Sequence, residues 1–274
     1  YPDPAYNKLR QTIAERYALD MKRIICGVGS DEILKLACRA YLKPDDEALY
    51  VAHSFSMYPI AIKSVGGVAI EVADHNYTAN IDAILASISD KTRIILVLDA
   101  AYAEFVDQKD YEAGIELVER SKNVLMTRTF SKLYGIAALR LGWGYTCEEI
   151  SQILDKVRDP FNIPSSAQVA GVAALKDTEF EEMALAYNNK WRTWLTEQIT
   201  TLGLTVVPSQ TNFILIKFED RDKSAAAAND YLLSHGYILR YYSSGGLEDC
   251  LRLTVGLEGE NKEVVKLLKA FLGN

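Results

Sequence analysis

The sequence predicts an α/β fold: a large domain built on a mostly parallel sheet flanked by helices, with a smaller α+β domain. Three observations predict it. From residue 23 to residue 146, short apolar runs alternate with stretches of helical periodicity, the pattern of βαβ crossovers. Several of these runs end in turn and cap residues, as in Gly27-Val28-Gly29-Ser30-Asp31. Beyond residue 202 the style changes to short strands interleaved with two helices. A chain of 274 residues, 49% hydrophobic and 24% charged, suits one large domain with a smaller one. The expected division gives residues 18–190 to the large domain, and 1–17 with 191–274 to the small one.

The elements follow in order. In residues 5–17, Leu9, Ile13, Ala14 and Tyr17 share one helical face. Residues 23–26 form a buried strand that runs through the glycine turn into an apolar helix up to Ala40. Residues 48–52 and 68–72 are strands, with a helix after Tyr58 between them. Residues 81–88 are a helix. Residues 92–99 are a near-continuous apolar run ending in Asp99, and residues 123–126 are strand-like and lead to Lys132. Residues 139–146 are a strand and 147–158 a helix. Pro160 and Pro164 break the chain before two further helices, 165–176 and 177 to about 202. The rest reads as strands at 204–208, 212–218, 237–241 and 250–255, with helices at 225–234 and 260–272. Ser243-Ser244-Gly245-Gly246 is its most flexible loop.

Composition narrows the function. The net charge is −7 and no basic run occurs, so nucleic acid and anionic membranes are not expected partners. No apolar stretch reaches the roughly 18 residues of a spanning helix. The four cysteines are scattered without a CxxC pair, which fits a reducing compartment. No signal-peptide pattern opens the sequence, and the expected location is the cytoplasm. The three histidines have no metal-ligand spacing, so no metal site is expected.

In parallel sheets, sites form at the carboxyl ends of strands. That draws attention to Ser30, Asp31, Phe55, Asp99, Ser131 and Lys132. A lysine can condense with an aldehyde cofactor. Hydroxyls and an arginine nearby, here Thr129, Ser131 and Arg140, suit a phosphate. The glycine turn into a helix aims free N–H groups at an anion. Each feature alone reads equally as a loop lysine, a strand-end carboxylate or a plain capped helix.

Taken together, the motifs resemble the fold-type-I pyridoxal-phosphate aminotransferases and, within them, the histidinol-phosphate aminotransferases. The likeness rests on Tyr1-Pro2-Asp3, Gly27-Val28-Gly29-Ser30-Asp31-Glu32, Phe55-Ser56-Met57-Tyr58 and Asp99-Ala100-Ala101-Tyr102-Ala103-Glu104-Phe105. It continues through Thr129-Phe130-Ser131-Lys132, Leu139-Arg140-Leu141-Gly142, Thr211-Asn212-Phe213, Ile238-Leu239-Arg240 and residues 250–256. The resemblance implies pyridoxal 5'-phosphate as cofactor and an exchange between L-histidinol phosphate and 2-oxoglutarate. A related aromatic amino-acid aminotransferase or decarboxylase is the alternative. It implies that Lys132 condenses with the cofactor and carries the proton, that Asp99 partners the ring nitrogen and that Tyr102 meets the phenolic oxygen. Phe55 would stack on the ring, and Ser30, Asp31, Thr129, Ser131 and Arg140 would hold the phosphate. Arg252 would bind the substrate carboxylate and Arg240 the substrate phosphate. Tyr1 would reach the cofactor phosphate of the other subunit of a homodimer.

One departure stands out. The family carries an Asn-Pro-x-x-Pro-x-Gly segment and a helix before the strand that ends in the aspartate, and this chain has no Asn-Pro. Residues 92–96 and 97–99 read as two strands fused, with residues missing near Leu96 and Val97. Loss of a crossover helix and a central strand would open the sheet and leave backbone groups unpaired, so the expectation is that the intact protein carries further residues between Leu96 and Val97.

Overall fold

The computed structural model describes residues 1–95, 98–220 and 222–273. Leu96 and Val97, where the sequence places the fusion, lie outside the described residues. The chain divides into two compact units, one of residues 1–104 and 108–178 and another of 105–107 and 179–274.

In the first unit, α1 (Asn7–Tyr17) precedes β1 (Ile24–Gly27), α2 (Ser30–Tyr41), β2 (Glu47–Val51), α3 (Met57–Ser64), β3 (Val68–Val72), α4 (Ile81–Ala86) and β4 (Thr92–Ile94). Then come β5 (Leu98–Asp99), α5 (Ile115–Arg120), β6 (Met126–Thr129), β7 (Gly142–Tyr145), α6 (Glu148–Val157) and α7 (Ser165–Lys176). The strands form two sheets, in the orders β1-β7-β6-β5 and β3-β2-β4. β2 is parallel to β3 and to β4, and β5 is parallel to β6. β7 is antiparallel to β1 and to β6. The sheet is mostly parallel, as expected, and β7 is the exception: no α-helix lies between it and β6, so the chain returns down the sheet instead of crossing over it.

The apolar run 92–99 holds two strands, as expected, and they lie on two different sheets. One expectation is corrected. The N-terminal helix belongs with the large unit: Leu9 and Ile13 are buried in one core with Ile24, Ile25, Phe130 and Trp143, and α1 packs on α7 and β1. Each large apolar side chain buried this way contributes about 1.5–3 kcal/mol. The division between units accordingly falls at residue 178, twelve residues before the expected boundary at 190.

The second unit contains α8 (Thr178–Thr201, all but its first residue), β8 (Thr205–Val207), β9 (Phe213–Lys217), α9 (Ala225–Ser234), β10 (Arg240–Tyr241), β11 (Cys250–Thr254) and α10 (Glu258–Leu272). Its sheet runs β10-β11-β9-β8, antiparallel throughout. Ile214 and Ile216 of β9 and Leu251 and Leu253 of β11 alternate inward against Leu195, Ile199, Leu232 and Leu268, the period of a half-buried sheet.

One close approach fixes the first unit around its site. A Cβ at Gly142 would lie 2.3 Å from the Ser30 backbone nitrogen and 2.5 Å from the Gly29 carbonyl carbon. Only glycine lets β7 touch the start of α2. Gly142→Ala should therefore push α2 off β7, costing about 1–3 kcal/mol. Chemical denaturation checks this; a variant with parental stability would show the contact to be soft.

Candidate active site

β5 and β6 run side by side, with Asp99 in register with Thr127. Thr127 Oγ1 donates to Asp99 Oδ1, and the Tyr58 hydroxyl on α3 donates to Asp99 Oδ2, each at 3.4 Å. Removal of water from around the Asp99 carboxylate pushes its pKa up; the bonds from Thr127, the Ala101 N–H and Tyr58 pull the other way and lose. The Asp31 carboxylate adds a smaller upward push. The Tyr58 hydroxyl is itself driven upward by burial and by Asp99. Phe55 stands edge-on to Tyr58, with ring centroids 6.1 Å apart at 85°, and the residue is 40% exposed. An open aromatic face thus lies next to the tyrosine that holds Asp99.

β6 ends in the turn that carries Lys132. Thr129 Oγ1 accepts the Ser131 N–H at 3.1 Å, and the Gly135 N–H closes on the Lys132 carbonyl at 3.1 Å. Gly135 takes φ 67°, in the left-handed region where glycine is favoured. Lys132 is part-buried, and its Nζ lies 5.3 Å from the centroid of the Tyr102 ring. Tyr102 stands in the turn that follows β5. This turn is tied to β6 by Arg128, which meets Glu104 at 3.0 Å with both side chains 6% exposed. Its guanidinium also lies over the rings of Tyr17 and Trp143.

A helix start suited to an anion lies at α2. Gly29, at φ 77°, is its N-cap, and no side chain caps the helix. The first N–H groups of the helix thus have neither an intrahelical partner nor a side-chain cap. Arg140 reaches this point: its Nη2 donates to Asp31 Oδ2 at 3.3 Å, and a Cβ on Gly29 would sit 2.8 Å from that nitrogen. The Asp31 carboxylate is engaged with Arg140, so an anion here would meet the Asp31 N–H rather than its side chain. Ser30 is buried at the foot of the helix.

The structure thus groups Asp99, Tyr58, Thr127 and Phe55, pairs Lys132 with Tyr102, and pairs Arg140 with Asp31 and the start of α2. Tyr1 joins none of these groups; its ring tilts against Phe161 at 5.0 Å. Arg240 and Arg252, in the second unit, are directly opposed across β10 and β11. Like charges in that position repel, so two facing arginines gain most when an anion lies between them. Arg252 lies 4.9 Å over the Phe213 ring, and its buried Nε has no hydrogen-bond partner. Among the described residues no cluster of His, Cys, Asp and Glu could hold a metal, and no helix is long and apolar enough to cross a membrane.

A model of aminotransferase classes I and II matches residues 1–93 and 78–271. The chain belongs to the class I and II aminotransferase family. Among its relatives, the histidinol-phosphate aminotransferase of Paramagnetospirillum magneticum is 44% identical over 304 aligned positions, covering 100% of this chain and 84% of that protein. That of Rhodospirillum centenum is 41% identical, covering 99% and 83%. In fold, the aminotransferase is similar to the histidinol-phosphate aminotransferase of Sinorhizobium meliloti solved with pyridoxal-5'-phosphate, at a TM-score of 0.92 and 22% identity over 100% of this chain and 83% of that one. It is likewise similar to that of Clostridium acetobutylicum, at 0.89 and 23% over 100% and 91%.

Sequence reasoning gave no role to two residues that bear on the aminotransferase site. Tyr58 stood inside a quoted motif, but its reach to Asp99 depends on how α3 packs. Thr127 precedes Thr129 by two on β6 and so shares its face, a signal that was available.

Asp99→Asn separates charge from shape. An acid whose pKa is raised by folding binds more protons folded than unfolded between its two values, so stability falls as pH rises through that window. The cofactor-free variant should therefore melt above the cofactor-free parent at pH 7, and the gap should close below about pH 4, where both states are protonated. Equal melting at pH 7, measured by calorimetry, would mean that the carboxylate is not strained by burial.

Proposed function

We propose that this aminotransferase moves an amino group between L-histidinol phosphate and 2-oxoglutarate with pyridoxal 5'-phosphate as cofactor, as a cytoplasmic homodimer. The observation that carries the reading is full-length likeness, at 41–44% identity, to proteins of that activity. The geometry supports it at each end of the site.

The residues present fit the cofactor. Arg140, Thr129, Ser131, Ser30 and the N–H groups at the start of α2 would hold its phosphate. Phe55 would cover its ring, Tyr102 would donate to its phenolic oxygen, and Asp99 would meet its ring nitrogen. A carboxylate whose charge is disfavoured where it lies gains strongly from a cationic partner. When bound, pyridoxal phosphate supplies an aldehyde that condenses with amines and a ring that takes up an electron pair from the substrate carbon.

The chain's own groups do the rest. Lys132 Nζ supplies the amine and then takes a proton from the substrate α-carbon and returns it on the cofactor side. The Arg128–Glu104 pair keeps the turn carrying Tyr102 against the strand that leads to Lys132. Arg252 binds the carboxylate of the 2-oxo acid or its amino-acid counterpart, and Arg240 binds the phosphate of histidinol phosphate. Tyr1 serves the cofactor phosphate of the neighbouring subunit.

Arg240→Ala tests the substrate assignment. Loss of a charge-assisted contact worth about 2–3 kcal/mol should lower kcat/KM for histidinol phosphate about 10²-fold and leave aromatic amino acids nearly unaffected. Equal loss for all donors would remove the phosphate role and favour an aromatic aminotransferase.

A further inference from the structure

The turn that opens α2 is held from outside the helix backbone. Val28 stands between Gly27 and Gly29, and Gly29 takes φ 77°, so the chain here has little stiffness of its own. The Glu32 side chain reaches back over it, and its Oε2 accepts the Val28 N–H at 2.6 Å. A carboxylate at the third position of a helix ordinarily turns back to the N–H of the capping residue. Glu32 passes that residue, Gly29, and takes the one before it. Gly27 leaves room for this: a Cβ there would lie 3.0 Å from the same oxygen.

A second stretch of chain aims the carboxylate. Asn162, in the loop between α6 and α7, donates through Nδ2 to Glu32 Oε2 at 2.7 Å, and its Oδ1 accepts from Arg158 Nη1 at 3.4 Å. An amide that donates on one side and accepts on the other is fixed in orientation. Arg158 is fixed in turn. Its Nε meets Asp155 Oδ1 at 2.7 Å, its Nη2 donates to the Pro4 carbonyl at 2.5 Å, and its Nη1 donates to the Asp159 carbonyl at 3.2 Å. Phe161, next to Asn162, takes φ 57°, a left-handed conformation that a phenylalanine keeps only where its surroundings impose it. Residues 4, 28–32 and 158–162, all within the first unit, thus converge on one peptide N–H.

Capping alone does not call for this arrangement. A serine or aspartate at position 29 would cap α2 directly. Glu32 instead satisfies an N–H that lies before the helix, and the start of α2 is left without a side-chain cap. The turn is ordered while the donors beyond it stay available to an anion.

We propose that Glu32 and Asn162 are positioning residues for the cofactor phosphate: they hold the turn of residues 27–30 so that the uncapped N–H groups of α2 meet the anion. Glu32 acts through the Val28 peptide and not by touching the phosphate, which a carboxylate would repel. The inference rests on the proposed place of the phosphate at α2.

Equilibrium dialysis of the cofactor-free chain tests it, with pyridoxal phosphate and with pyridoxal, which lacks the phosphate. The ratio of the two dissociation constants reads the phosphate's share of binding. Glu32→Ala should weaken pyridoxal phosphate about tenfold and leave pyridoxal unchanged. Asn162→Ala should act in the same direction, by about threefold. Glu32→Gln keeps an acceptor for the Val28 N–H and should restore the parental ratio. A merely structural role predicts equal weakening of both ligands, or none. Either result overturns the proposal, as does failure of Glu32→Gln to restore the ratio. If Glu32→Ala does not fold, Asn162→Ala decides, and a parental ratio in that variant overturns the proposal. Arg140→Ala separates this inference from the reading beneath it. A parental ratio in Arg140→Ala places the phosphate elsewhere, and both fall. A ratio lost in Arg140→Ala but kept in Glu32→Ala and Asn162→Ala removes the positioning role alone.

Discussion

The site depends on a carboxylate kept where its charge is costly. Asp99 ends β5, in register with Thr127, and takes hydrogen bonds from Thr127, Tyr58 and the Ala101 N–H, yet the loss of water still raises its pKa. Isolated carboxylates in such places shed their charge or find a cation. A protonated ring nitrogen meets that need, and the surrounding side chains suit the rest of such a ring. The electrostatic strain at Asp99 and the proposed use of Asp99 are one feature seen from two sides.

The second constraint is distance. β7 can touch the foot of α2 because Gly142 has no side chain. That contact, with Gly29 at the cap, brings Arg140 to a helix start that no side chain caps. The turn from β6 carries Lys132 from the strand that neighbours Asp99. The groups proposed to meet the phosphate, the ring and the amine thus lie at three strand ends and one helix terminus, elements far more rigid than loops.

Much of this was legible in the sequence, for physical reasons. The buried strands β1, β2 and β6 announce themselves as short apolar runs, and Asp99 and Lys132 follow from the rule that sites lie at strand ends. What depends on packing was hidden. Nothing local says that Tyr58, on a helix, reaches the end of β5. Nothing local seats Leu9 and Ile13 in the large core. The opposition of Arg240 and Arg252 is a matter of register between strands separated by a loop, and register is set by partners far along the chain. The two fused strands at residues 92–99 were read from a missing family segment; that they lie on different sheets is visible only in the topology.

Order at these strands matters because β5 ends in Asp99, and β4 pairs with β2, the strand that leads to Phe55. A catalytic constellation is only as well ordered as the elements beneath it. The most direct test of the central claim is to reduce the purified protein with borohydride in the presence of pyridoxal phosphate and map the labelled peptide. The account predicts a single pyridoxyl group on Lys132. A label on another lysine, or none, would contradict it.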